Sequence, residues 1–333
     1  MIIKNIEKYN DIKLAKGIYL DNVKSSHRKG DTGISTRSTG KKWFYLSKGK
    51  AIFKAFDSQN ASNIKTNRVI NEFICKELCS QLGIPSPDLD PATYNGVTGL
   101  LTYDVASENQ KLWNALMFFD KAHTDTYNND LINYSYAIDL LQRKSKCYNI
   151  NKNKMMKDLY KMCVFDSLTM QTDRHISNIF FLENKTTHEL TLAPLLDNEF
   201  AFYSIGLSKD VFFRNKEYDI DDILHYYGQT YNKLRVVEKY RRDSEDETLK
   251  DLAKIAKLDG EYKTILNDML VKIDIKKAIQ NVEKLGFSIS DDYKEFMIFI
   301  VEGVKQKIVE EYNNLDINQL NTFKNEHSNL FAK

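Results

Sequence analysis

The segment TDRHISNIFFL, residues 172–182, sets Asp173, Arg174, His175 and Asn178 directly ahead of a β-branched and aromatic run. Asp173 and Asn178 are five positions apart, and Asp197 follows nineteen residues after Asn178, at the end of a second apolar run, TLAPLL. A hairpin built from these two runs brings Asn178 and Asp197 together, so that an amide oxygen and a carboxylate face one space. Hard oxygens of this kind suit Mg²⁺, which takes few protein ligands and completes its shell with phosphate and water. Asp173 is then free to orient a hydroxyl nucleophile as a general base. Upstream, Lys54 lies in AIFKAF, a strand-like run, and Glu72 lies in the helical run NEFICKEL that follows. A strand lysine followed by a helix glutamate is the arrangement that directs a lysine toward nucleotide phosphates. Glu77, one and a half turns on, is the competing glutamate.

Taken singly, each feature has an ordinary explanation. Lys54 reads as a lysine whose stem lies along apolar surface, Glu72 as a solvated helix residue, and D-x-x-x-x-N as a chance spacing. The order is far more specific: strand lysine, helix glutamate, hinge, helices, D-x-x-x-x-N, strand, turn, strand aspartate. It is the order of a protein-kinase-like fold that transfers phosphoryl groups from ATP with Mg²⁺.

The elements that position these residues can be read from periodicity. IKLAKGIYL, KKWFYL and KAIFKAF are short strand-like runs. In SNIKTNRVINEFICKELCSQLGI, Val69, Ile70, Phe73, Ile74, Glu77 and Leu78 trace a stripe at helical spacing that ends near Gly83. PATYNGVTGLLTYDV predicts a hairpin turning at Asn95-Gly96. Segments 110–121, 128–144 and 153–171 carry helical periodicity. A two-strand hairpin follows in NIFFLENKTTHELTLAPLLDNEFAF, and the chain is helical again from about 208, ending in the amphipathic run 290–313. The expected fold class is α+β: a small sheet-rich N-lobe over residues 1–103 that binds nucleotide, and a larger helical C-lobe over 104–333 that holds the catalytic loop and metal-binding hairpin. The hinge is expected near Tyr103–Ser107, with Tyr103 among the ATP-binding residues.

The quoted motifs resemble the HipA-like serine/threonine kinases, a branch of the protein-kinase fold related to phosphatidylinositol kinases. VINEFICKELCSQLGIPSPD resembles their helix after the lysine strand, TDRHISNIFFL their catalytic loop and LAPLLDNEFAF their metal-binding strand. The likeness is clear over about residues 40–205; beyond that, the chain matches only in being helical. The resemblance implies Lys54 at the phosphates with Glu72 as its partner, Asp173 as catalytic base, and Asn178 and Asp197 as metal ligands. It also implies ATP and Mg²⁺ as cofactors, a protein substrate and an antitoxin-like regulator. The chain departs from the pattern in three ways. The last motif reads Asp197-Asn198-Glu199, not D-F-G; no G-x-G-x-x-G is present; and only about fifty residues precede Lys54, so a compact member without the N-terminal subdomain of HipA toxins is expected.

Residues 21–50 are basic: Lys24, Arg28, Lys29, Arg37, Lys41, Lys42, Lys48 and Lys50 oppose only Asp21 and Asp31. One reading is a solvated loop. The other is a phosphate-covering loop, in which GDTGISTRSTGKK supplies backbone N–H groups, hydroxyls and charge to ATP, with Ser35, Thr36 and Ser38 as binding residues. Ser35, Thr36, Ser38 and Thr39 are also autophosphorylation candidates, as the resemblance implies for a serine in this loop. His175 is a candidate catalytic group beside Asp173; the competing readings are an imidazole that orients Asp173 or the loop backbone, which is favoured, and one that fills space, and Arg174 is expected to pair with a nearby carboxylate.

The 333 residues carry a net charge of only +2, so composition gives no general affinity for polyanions and no direct nucleic-acid partner is expected. The i, i+4 pair Cys75 and Cys79 suits a buried helix face, and the four cysteines read as reduced thiols of a cytosolic protein. No signal peptide stands out at the start, and FMIFIV is too short to span a bilayer, so a cytoplasmic protein, or one delivered into a host cell, without stable membrane association is expected. The competing functions are a lipid kinase, which the D-R-H-x-x-N form favours, and a nucleotide-binding pseudokinase acting as an interaction module. A toxin held down by a partner is compatible with the leading reading.

Overall fold

Strand and helix signals resolve into an α+β fold. The computed structural model describes residues 18–19, 25–26, 41–55, 64–94, 97–115, 147–171, 174, 178–202, 219–221, 223–224, 246–326, 328 and 331. Strands β1 (Ile18–Tyr19), β2 (Ser25–Ser26), β3 (Lys41–Leu46), β4 (Gly49–Ala55), β5 (Leu89–Tyr94) and β6 (Val97–Tyr103) form one sheet in the order β1-β5-β6-β4-β3-β2. Its pairings are antiparallel except for β1 with β5. Alternation gives the sheet two different faces. Phe44, Ala51, Phe53, Ala92, Leu101 and Tyr103 pack together on one, so Lys54, the neighbour of Phe53, emerges on the other.

Helix α1 (Ile64–Leu82) sits between β4 and β5 in the chain. Val69, Ile70, Phe73, Ile74, Leu78 and Leu82 are buried and join the main core of the molecule. Each such side chain contributes about 1.5–3 kcal/mol on burial. The helix stops at Gly83, whose φ of 63° lets Ile84 N–H reach back to Cys79 C=O at 2.9 Å and Gly83 N–H to Ser80 C=O. The turn expected at Asn95-Gly96 lies outside the described residues, although the register of β5 and β6 closes on the facing pair Tyr94 and Val97.

Residues 110–114 correct the sequence reading. They form strand β7 (Gln110–Asn114), not the start of a helix, and pair with β8 (Phe180–Asn184), which in turn pairs with β9 (Leu190–Leu192). The apolar residues here fit both periods, and pairing with β8 decides. Leu112 turns inward against Phe180 and Leu182, while the Trp113 indole donates to Glu183 at 2.6 Å on the other side. Segment 128–144 lies outside the described residues.

Helix α2 (Lys152–Leu168) is capped by Asn151, whose side chain accepts from Lys154 N–H. It packs into the main core with α3 (Asp246–Leu258), α4 (Gly260–Lys272), α5 (Ile275–Lys284) and α6 (Asp291–Asn314), and α7 (Ile317–Glu326) adds Phe323. Asp259, Asp274 and Ser290 cap α4, α5 and α6. Among the described residues, no helix is long and apolar enough to cross a membrane.

Candidate active site

Lys54, Glu72 and Asp197, three of the residues singled out in the sequence, converge where β4, α1 and the segment after β9 meet. Lys54 projects from β4 on the face opposite Phe53 and is largely buried. Its ammonium lies 2.5 Å from Asp197 Oδ1, 3.3 Å from Glu72 Oε1 and 3.9 Å from Glu199 Oε2. Burial alone pulls the Lys54 pKa down, but the fields of Asp197, Glu72 and Glu199 outweigh it and hold the amine well above its usual value. Glu72 is buried, and its second oxygen accepts the backbone N–H of Asn198 at 3.1 Å. Of the two helix glutamates considered, Glu72 reaches Lys54; Glu77 points to α5 and accepts from Asn281 at 2.8 Å.

Glu199 was not anticipated, although it stands two residues from Asp197. Glu72, Asp197 and Glu199 offer carboxylate oxygens all within 4.8 Å of one another. Burial, reinforced by the charges of Asp197 and Glu72 against the opposing pull of Lys54, pushes the Glu199 pKa up to about 7. With all groups ionised, three carboxylates face one ammonium, leaving two negative charges that a divalent cation would balance. An all-oxygen donor set fits Mg²⁺ rather than a thiolate- or imidazole-seeking metal.

Arg174 supplies the scaffold. It is buried, and its Nε and Nη2 donate to the Asp166 carboxylate at 3.1–3.3 Å. Its Nη1 donates to Leu196 C=O at 2.6 Å and Asn178 C=O at 3.4 Å, and its Nη2 also donates to Asn198 Oδ1 at 2.5 Å. One guanidinium therefore bonds the main chain of Asn178 and that of the residue before Asp197, which brings the two proposed metal-ligand positions near each other. The missed partner, Asp166, is a lone charge in the apolar stretch MCVFDSL of α2, and that isolation was the available signal. Burial raises the Asp166 pKa against the opposing field of Arg174.

The segment after Asp197 is tied down on its other side. Asn71 of α1 donates to Glu199 C=O at 3.0 Å and Ala201 C=O at 2.9 Å, and accepts from the Tyr293 hydroxyl of α6. Phe202 N–H donates to Thr169 C=O at 2.6 Å. Asp197 itself has a φ of 60°, a backbone state costly for a non-glycine residue and held here by these contacts.

The Tyr103 side chain lies outside the cluster around Lys54. It pairs with Ala51 on the face opposite Lys54, its ring packs among Phe44, Phe53 and Leu101, and the Lys48 ammonium sits 4.6 Å from the ring centre. Strand alternation decides this: Tyr103 is in register with Ala51, and Lys54 with Leu100. Asp173, His175, Ser35, Thr36 and Ser38 lie outside the described residues.

No protein-family model matches the chain. Serine/threonine-protein kinase CtkA of Helicobacter pylori is 23% identical over 279 residues, which cover 80% of this chain and 78% of CtkA. The crystal structure of a Helicobacter pylori proinflammatory kinase CtkA superposes with a TM-score of 0.65 at 14% identity, over 90% of this chain and all of that one. HipA of Shewanella oneidensis MR-1, solved with HipB and operator DNA, gives a TM-score of 0.47 at 14% identity, over 87% of this chain and 69% of that one.

Proposed function

We propose that this chain, which shares the fold of the CtkA kinase, is an ATP- and Mg²⁺-dependent kinase of HipA-like type that phosphorylates serine or threonine hydroxyls of proteins. The observation that carries the reading is Lys54, 3.3 Å from Glu72 and 2.5 Å from Asp197, at the meeting of the sheet with the segment after β9.

In the proposed roles, Glu72 keeps Lys54 charged and aimed, and Lys54 exchanges its contact with Asp197 for nucleotide phosphate oxygens. Asn178 and Asp197 hold the metal, and Glu199 adds a third oxygen donor. The bound cation would neutralise charge on the triphosphate. Asp173 accepts the proton of the acceptor hydroxyl, and His175 acts beside it or orients the loop. Ser35, Thr36 and Ser38 lie in the stretch proposed to cover the phosphates. Little covalent chemistry is required of the protein; catalysis rests on positioning and on preorganised charge. The proposal is for a cytoplasmic enzyme with a protein substrate and an antitoxin-like regulator.

The test incubates purified protein with Mg²⁺, labelled ATP and a cell lysate, with lipid vesicles assayed in parallel, and identifies labelled species by mass spectrometry. The expected result is label on protein serine or threonine, abolished by Asp173→Asn in a protein that melts as the wild type does. Label on lipid alone would move the assignment to a lipid kinase. Nucleotide binding without turnover would make the chain a pseudokinase. For His175→Ala, a fall in kcat of less than about threefold excludes direct proton transfer, which contributes about 10²–10⁴-fold.

A further inference from the structure

The residue after the metal aspartate is Asn198, which is buried and fully engaged. Its backbone N–H donates to Glu72 Oε2 at 3.1 Å, its amide N–H to Leu195 C=O at 3.1 Å, and its amide oxygen accepts from Arg174 Nη2 at 2.5 Å. Arg174 continues the chain to Asp166 on α2 and to the carbonyls of Asn178 and Leu196. An unbroken line of polar contacts therefore runs Lys54, Glu72, Asn198, Arg174, Asp166, from the sheet to the helical core.

We propose that Asn198 and Arg174 are a positioning pair, fixing Asn178 and Asp197 relative to each other and tying that spacing to the Lys54–Glu72 contact. This rests on the metal-dependent kinase reading above. Geometry is the reason. Arg174 bonds the main chain just before β8, at Asn178, and beyond β9, at Leu196, so the distance between the two ligand-bearing backbones is set by one rigid planar group. Asn198 stops the Asp197 segment from rotating, because turning it would break three hydrogen bonds in a buried space where no water replaces them. Arg174 is wholly used inside the fold, with Asp166 as counter-ion, and is not free to read a charge elsewhere.

The test measures metal affinity rather than turnover. Mn²⁺ is titrated into protein carrying adenosine 5′-(β,γ-imido)triphosphate, and free Mn²⁺ is followed by electron paramagnetic resonance. Asn198→Ala and Arg174→Lys are expected to weaken Mn²⁺ binding by about 10–100-fold, as loss of groups that orient metal ligands does. Tyr160→Phe removes an equally buried hydrogen bond, to Leu252 C=O, that shares no partner with Asn198, Arg174 or Asp166 among the described bonds. It is expected to lower Tm while leaving Mn²⁺ affinity within about twofold, as its hydrogen bond supports only the core. If Arg174→Lys does not fold, the uncharged Asn198→Ala decides, and the reverse holds. A folded Asn198→Ala or Arg174→Lys protein that binds Mn²⁺ as the wild type does overturns the positioning role and leaves the kinase reading intact. A wild type that binds no Mn²⁺–nucleotide removes both.

Discussion

Lys54 is the residue on which the site turns, since three carboxylates converge on its ammonium. Replacing it with methionine keeps the stem and deletes the charge, leaving Glu72 buried without its cation. Removing one partner of a buried pair costs about 3–5 kcal/mol, so Lys54→Met is expected to lose phosphotransfer and also to unfold at lower denaturant, read by urea titration. Lys54→Arg retains charge and should recover stability more than activity. Glu199 carries a pH prediction. Its carboxyl holds a proton up to about 7 in the folded protein, against an ordinary value of 4.5. Between these values the native state binds more protons than the unfolded one, so stability falls as pH rises through the window. In metal-free protein, Glu199→Gln should flatten the fall in Tm from pH 4.5 to 7; an unchanged slope would assign the effect to another group. At this scale the types and order of Lys54, Glu72, Asn178 and Asp197 were legible in the sequence. Glu199 and Asp166 were not, because a carboxylate looks the same in sequence whether solvated or buried against a cation.

The strands and helices are where periodicity succeeded and where it failed. The stripe over α1 was readable because one face is apolar and the end is marked by Gly83. Segment 110–114 was misread, since its short run of apolar residues satisfies helical and strand spacing alike, and only the partner β8 selects the strand. Gly99 of β6 gives a test of the sheet. A Cβ there would lie 2.4 Å from Lys54 C=O and from the Phe53 ring, so β4 and β6 close only over glycine. Gly99→Ala is expected to destabilise by about 1–3 kcal/mol through overpacking, measured by chemical denaturation. It should also weaken nucleotide binding, because the backbone that must shift carries Lys54. A variant as stable as the wild type would show that β4 and β6 separate freely.

The molecule as a whole is organised around α1, which lies between sheet strands in sequence yet belongs to the core of the helices. Phe73 packs on Phe287 with ring centres 4.9 Å apart, Gln81 bonds Asp274 in both directions, and Asn71 receives the Tyr293 hydroxyl. Such an anchored helix holds Glu72 at Lys54. Hydrogen exchange should therefore show the amides of α1 from Ile70 to Leu82 as protected as those of α6, and those of β3 and β4 less so, since among the described residues the other face of their sheet carries a small apolar cluster. Tyr293→Phe should loosen the segment 199–201 selectively in the same experiment, with a loss of about 1–3 kcal/mol for the unmet Asn71 oxygen. Exchange that is uniform across the chain would contradict both expectations.

Sequence alone marked the residues proposed for the chemistry and settled the kind of fold, because both follow from local quantities: residue type, spacing and hydrophobic period. A lysine strand, a glutamate helix and a D-x-x-x-x-N stretch ahead of a hairpin and its following aspartate survive as a linear pattern, although Asp197 stands five residues beyond β9 and not on the strand that the sequence predicts. Folding in three dimensions decided the rest. Glu72 rather than Glu77 meets Lys54, Tyr103 turns to the opposite face, β7 becomes a strand, and Asn198 with Arg174 binds the two halves of the site together. Each of these depends on which groups lose water and which partner then lies within hydrogen-bonding reach, and neither is a property of neighbours along the chain.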